Sequence, residues 1–131
     1  MDAKLEKEYM KGGEFLLADQ TTAEVFTPED FTDEHRMIGD TCREYIDNEV
    51  VPNLPKLEAH DWDVARGLLE KAGELGLLGA NIPEELGGMA LDQTSGCIIA
   101  EMVGRGSGFG STYGAQTSIG LLPILYWGSE E

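Results

Sequence analysis

Basic residues are few: nine Lys and Arg stand against 25 Asp and Glu in 131 residues, a formal net charge of −16. A field of that sign repels phosphate backbones and anionic lipid heads, which puts nucleic-acid and peripheral-membrane roles well behind. The excess acid reads as a solubilising surface. Cysteine is almost absent, and Cys42 and Cys97 form neither a close pair nor a Cys-x-x-Cys unit. That usage predicts two free thiols, at least one of them buried, in a reducing cytoplasm. The two histidines, His35 and His60, stand apart with no ligand set around them, so no metal centre is expected. Long apolar runs are missing too. The longest, Gly120 to Trp127, contains Pro123 and falls far short of the roughly 20 residues a membrane helix needs. Met1 to Lys11 mixes acids and lysines around no apolar core and is no secretory signal. Together these absences predict a soluble, cytoplasmic chain.

What is present is globular in composition, 41% hydrophobic and 26% charged, and long enough for one domain. Residues 1–31 lack sustained periodicity and read as an extended or loosely docked arm anchored by Phe15, Val25 and Phe31. Residues 32–131 carry helical patterns. The first helix is predicted from about Asp33 to Val50, with Ile38, Cys42, Tyr45, Ile46 and Val50 on one buried stripe and Pro52 and Pro55 ending it. A second runs from about Val64 to Leu75, burying Val64, Leu68, Ala72 and Leu75, with Gly76 at its C-terminal cap. Leu77 to Gly88 holds Pro83 and the Gly87-Gly88 pair, too many breakers for a helix, and reads as an irregular packed connection. A third helix opens at Asp92, spans about Gln93 to Val103 and turns Ile98, Ile99, Met102 and Val103 inward. A small-residue helix from Ser111, broken at Gly120–Pro123, leads into a short apolar helix that ends at Trp127. No stretch alternates like a strand. The fold class is therefore all-α, a bundle-like domain of four to six helices.

Chemistry is sparse. Gly104-Arg105-Gly106-Ser107-Gly108-Phe109-Gly110 offers glycine at every second position, yet a dinucleotide fingerprint needs a sixth-position glycine after a strand. It also lacks the Gly-Lys-Ser/Thr of a phosphate loop, so an interhelical loop is expected. Ser111, Ser118 and Cys97 have no spacing that links them to a histidine, which leaves no nucleophilic triad. Glu84 and Glu85 read as a solvated turn. The density of small residues from Gly104 to Gly120 is the one pattern with two readings. It allows close helix packing, or a groove for a slender apolar ligand.

Several segments, in their order, resemble the N-terminal helical domain of acyl-CoA dehydrogenases. They are Glu74-Leu75-Gly76-Leu77-Leu78-Gly79, Ile82-Pro83-Glu84-Glu85-Leu86-Gly87-Gly88, Ile99-Ala100-Glu101, Gly114-Ala115-Gln116-Thr117-Ser118-Ile119-Gly120 and Pro123 to Glu131. Lys11 to Leu17 and Phe26 to Phe31 look like the bacterial long-chain branch, related to very-long-chain enzymes. The resemblance implies a parent enzyme that removes a proton and a hydride across the α–β bond of a fatty acyl-CoA. It implies FAD as cofactor, electron-transfer flavoprotein as electron acceptor and a homo-oligomer as the assembly. It also places the catalytic glutamate and most of the flavin site in later domains, so this chain is expected to be cut from a longer protein and to be inactive alone. For the acyl tunnel it implies Ser111, Thr112, Gly114, Ala115 and Ile119, small enough to leave room for a long chain; Gln116 stands where long-chain relatives often have His. Two other readings stay open at this point, a free-standing helical interaction module and an acyl-CoA oxidase-like relative.

Overall fold

Helical periodicity carries through to the structure. The computed structural model describes residue 10, residues 12–19 and residues 25–129. Among these lie six α-helices, joined by 3-10 and π turns, and no strand. The chain falls into two units, Met1–Thr32 and Asp33–Glu131.

In the first unit, 3-10 turns form at Glu14–Leu16 and Pro28–Asp30. Thr27 starts the second turn and proline occupies its first position, where a missing N–H costs nothing. The Thr27 amide donates back to Asp30 Oδ2 at 3.0 Å. Phe26 and Phe31 pack ring against ring at 5.9 Å, while Val25 and Phe31 are half-buried. The side chain of the third expected anchor, Phe15, lies outside the described residues.

The second unit begins with α1, Asp33–Tyr45, continued by a π turn at Ile46–Val50. The expected stripe is buried: Cys42, Ile46 and Val50 are wholly enclosed, Tyr45 nearly so, and Ile38 is half-buried. Pro52 and Pro55 do not end the helical path as expected. They start a 3-10 turn at Val51–Asn53 and then α2, Leu54–Glu58, because proline fits the first turn of a helix as readily as it breaks an interior one. Helix α3, Trp62–Glu74, begins two residues earlier than expected, since Asp61 caps it by accepting the Val64 amide. Leu68 and Ala72 are buried and Val64 half-buried, but Leu75 is exposed. It falls past the last turn, and Gly76, at φ 76°, swings the chain away in a left-handed cap.

Leu77 to Leu91 is the packed connection its breakers predict. Short 3-10 turns at Leu77–Gly79 and Glu84–Leu86 alternate with backbone bonds such as Met89 N–H to Gly79 O and Leu91 N–H to Ala80 O. Glu84 and Glu85 are exposed, as a solvated turn requires. Helix α4, Gln93–Gly104, opens at Asp92, whose Oδ1 accepts the Ser95 amide at 2.8 Å. It crosses α1 closely: a methyl group added at Gly39 would sit 3.0 Å from Ile98 Cγ2. Helix α5, Gly108–Ala115, runs on through a π turn, Gln116–Gly120, into α6, Leu122–Trp127. Helix therefore starts three residues before Ser111, inside the glycine-rich segment. Phe109 and Tyr113 are drawn into the core with Tyr45, Leu68, Ile99 and Val103, and that burial outweighs the weak helical propensity of Gly108 and Gly110.

Two buried hydroxyls pin the layers. Tyr45 Oη donates to Leu68 O at 2.7 Å, joining α1 to α3, and Tyr113 Oη donates to Leu77 O at 2.6 Å, joining α5 to the connection. Burial pushes the Tyr113 phenol up to about 12, and it raises Tyr45 further still. Cys42 is buried and Cys97 exposed, both free. Burial lifts the Cys42 thiol to about 11, so it is inert at neutral pH.

Candidate functional site

The two readings of the small-residue segment separate glycine by glycine. At Gly106 an added Cβ would meet Val103 O at 3.1 Å and Val50 Cγ1 at 3.2 Å, and at Gly110 Val103 O at 3.3 Å. These two glycines serve close packing between α4 and α5. At Gly114 nothing lies within 4 Å. Its missing side chain leaves space.

That space belongs to a cavity of about 470 Å³ between α4, the Leu77–Ile82 connection and the α5–α6 rod. Gly104 and Gly114, where an added Cβ would meet nothing within 4 Å, thin its walls, and Leu78, Ile99, Val103 and Leu122 make them apolar. None of its lining residues is Asp, Glu, Lys, Arg, His or Cys. Most of its polar side chains are already committed. Asn81 Nδ2 donates to Leu91 O and Asp92 O, each at 3.1 Å. Thr117 Oγ1 donates to Tyr113 O at 3.0 Å, and Ser118 Oγ to Gly114 O. The Tyr113 hydroxyl is held by Leu77 O. Such a wall can shelter a slender apolar group, and it has no acid or base with which to transform one.

The five residues expected along the tunnel are divided by the structure. Gly114 lines the cavity. Thr112 lines a smaller depression of about 310 Å³ beside Trp62 and Phe109. Ser111, Ala115 and Ile119, four residues apart in turn, lie exposed on another side of the rod. Thr117, Ser118 and Tyr126 line the cavity and were not expected there. The signal for two of them was present: counting three and four residues on from Gly114, rather than from Ser111, reaches Thr117 and Ser118 on the same helical face.

Both histidines have structural surroundings. His35 is buried with Nε2 at 2.9 Å from Asp92 Oδ2, the carboxylate that caps α4. The Ser95 amide and then the His35 contact hold Asp92 below the ordinary carboxylate range. His60 stacks on exposed Trp62, ring centroids 5.4 Å apart. Among the described residues no group of three or more His, Cys, Asp or Glu is placed to hold a metal ion, and no helix is long and apolar enough to cross a membrane.

The glycine-rich turn does not fit a flavin pyrophosphate. The amides of Gly106, Phe109 and Gly110 donate to Val103 O, Gly106 O and Ser107 O, so they are not free to cradle an anion. Arg105, the one cation of the segment, is paired with Asp47 at 3.0 Å.

Comparison with known proteins follows the same line. Residues 32–131 match the family described as acyl-CoA dehydrogenase, N-terminal domain. A probable acyl-CoA dehydrogenase of Bacillus subtilis (strain 168) is 49% identical over 129 residues, covering 98% of this chain and 22% of that protein. The mitochondrial short-chain specific acyl-CoA dehydrogenase of Bos taurus is 33% identical over 82% of the chain, covering 26% of that enzyme. The long-chain specific enzyme of Sus scrofa is 35% identical over 77%, covering 23% of its own length. A crystal structure of acyl-CoA dehydrogenase complexed with FAD from Bacillus anthracis superposes with a TM-score of 0.84 at 52% identity, over 92% of this chain and 21% of that one. This chain thus spans about a fifth to a quarter of these relatives' length, and similarity extends to short-chain and long-chain enzymes alike.

Proposed function

The chain belongs to the acyl-CoA dehydrogenase family, in the part that forms its N-terminal domain, and from that premise we propose that it serves as the acyl-chain wall of a longer FAD-dependent enzyme. The substrate is a long fatty acyl-CoA, dehydrogenated across its α–β bond in the cytoplasm, with electrons passed on to electron-transfer flavoprotein. Residues 1–31 are the arm of this domain and residues 32–131 its helical body. FAD, when bound to the whole enzyme, accepts the hydride. As the family resemblance implies, the flavin site and the proton-abstracting base belong to the rest of the parent, and this chain alone is inactive.

The observation that carries this reading is the uncharged space beside Gly114, where an added Cβ would meet nothing within 4 Å. The chain's part in the reaction is to bind and to exclude water. An apolar wall whose Tyr113, Thr117 and Ser118 hydroxyls are tied to its own backbone gains most from burying methylenes, about 0.8 kcal/mol for each. Ser111, Ala115 and Ile119 form a second, outward wall of the same rod, which the rest of the parent closes, and Thr112 belongs to the same tunnel.

Two substitutions in a full-length dehydrogenase that carries this domain test the proposal. Gly114→Leu fills the cavity and Ala115→Glu puts a carboxyl on the outward wall. Loss of three or four methylene contacts lowers kcat/KM for a long-chain acyl-CoA by about a hundredfold, with a short-chain substrate little changed. Equal losses for both chain lengths in both variants would overturn the chain-length reading.

A further inference from the structure

Helix α4 runs the length of the Gly114 cavity: Gln93, Gly96, Ile99, Val103 and Gly104, spread from its first residue to its last, all line it. One end of the cavity therefore lies at the N-terminus of α4, and there its wall is Asn81, Gln93 and Gly96. Asn81 is wedged in place. Its Nδ2 donates to the Leu91 and Asp92 carbonyls, each at 3.1 Å. Its Oδ1 lies so near α4 that a Cβ added at Gly96 would stand 2.6 Å from it.

Asp92 holds that arrangement together. Its backbone carbonyl accepts from Asn81 Nδ2 and from the Gly96 amide, and its Oδ1 accepts the Ser95 amide. Capping α4 needs only that one carboxylate oxygen. The other, Oδ2, meets His35 Nε2 of α1 at 2.9 Å. An ionised carboxylate only accepts, so Nε2 carries the proton, and the bond stands whether the ring is neutral or charged. His35 is buried, and one turn further along α1 the bare backbone of Gly39 lets Ile98 of α4 approach closely, which fixes the helix that carries the ring. Every one of these contacts lies within residues 33–131, so the arrangement does not depend on what covers the outside of the domain.

From this chain of contacts we propose that His35 is a positioning residue for the cavity: through Asp92 it holds Asn81 against Gly96 and so fixes the end wall of the space beside Gly114. Taking the occupant of that space to be an acyl chain rests on the function proposed above; the clamp itself does not. Releasing Asp92 from α1 leaves the cap on α4 intact, but it frees the turn that carries the Leu91 and Asp92 carbonyls, and Asn81 moves with it. A chain that fills the cavity touches this wall, whereas a short one fits clear of it.

Two measurements test the proposal. In the 131-residue chain, hydrogen exchange at the Ser95 and Gly96 amides and the Asn81 side chain should be about tenfold faster in His35→Phe, which keeps a ring and removes the donor. His35→Leu should do the same by a second substitution. His35→Gln, which returns an N–H at similar reach, should restore the original rates. Arg66→Ala, which breaks an exposed pair on α3, should leave them unchanged. In a full-length dehydrogenase that carries this domain, His35→Phe should raise KM for palmitoyl-CoA about fivefold more than KM for butyryl-CoA, and His35→Gln should reverse that split. Circular dichroism melts establish that each variant is folded. Unchanged exchange at Gly96 and Asn81 in both His35→Phe and His35→Leu overturns the proposal, and so does a rise spread evenly over all the helices. Faster local exchange, rescued by His35→Gln but with no split in KM, supports the clamp and overturns instead the acyl reading of the cavity.

Discussion

Helix α1 and the α5–α6 rod solve the same packing problem in opposite ways. Helix α1 separates its faces: Cys42, Tyr45 and Ile46 are enclosed, and Asp40, Arg43 and Glu44 face water. The rod buries Phe109 and Tyr113 at one end and then carries apolar side chains outward along α6 without a charge anywhere. One helix is complete within this domain. The other has a buried side and an exposed apolar one.

The sharpest way to break this contrast is to truncate matched isoleucines. Ile46→Ala, at a position with no exposure, should cost about 3 kcal/mol in urea denaturation, from lost transfer energy and the cavity left behind. Ile124→Ala on the rod should cost under about 0.5 kcal/mol, because its side chain is already in water. Similar costs at both sites would mean that the rod is not open on its outer side.

Alkaline titration probes the enclosed side. Burial raises the Cys42 thiol from 9.0 to about 11, so the unfolded chain loses this proton first. Stability from the buried neutral thiol is fully present below pH 9 and is lost as pH rises toward 11, by roughly 2–3 kcal/mol. Melting temperature should therefore fall across that window. Cys97, exposed on α4, should react with a thiol reagent at neutral pH while Cys42 reacts only on unfolding. Simultaneous labelling of both would contradict an enclosed α1 face.

A smaller effect than at Ile46 or Cys42 is expected at the junction that launches the rod. Ser107 holds φ 51° and ψ −127°, a backbone region glycine occupies far more easily. Ser107→Gly relieves that strain and should raise stability by about 1 kcal/mol. A melting point that stays the same or falls would show that the turn is set by something other than backbone preference.

Much of the body was legible in the residues. The stripe Cys42, Tyr45, Ile46, Val50, the Asp92 start of α4, the Gly76 stop after α3 and the packed connection between them all rest on periodicity or breakers, which act over a few residues. Reading a stop at Pro52 and Pro55 went wrong because proline's effect depends on whether a new first turn can form around it. The candidate site was half legible. Small residues announced that space or close packing lay along the rod, and Gly114 was among those named, but Thr117, Ser118 and Tyr126 were not.

Composition and short-range pattern by themselves determined that this chain is helical and acidic, since those properties follow from charge counts and from spacings of three and four residues. Only the tertiary structure decided that Gly110 is filled by its neighbours while Gly114, one turn further on, opens on a cavity. The two positions read alike in sequence, and the difference lies in Val103 O, which α4 brings to within 3.3 Å of where one missing methyl would stand and leaves beyond 4 Å of the other.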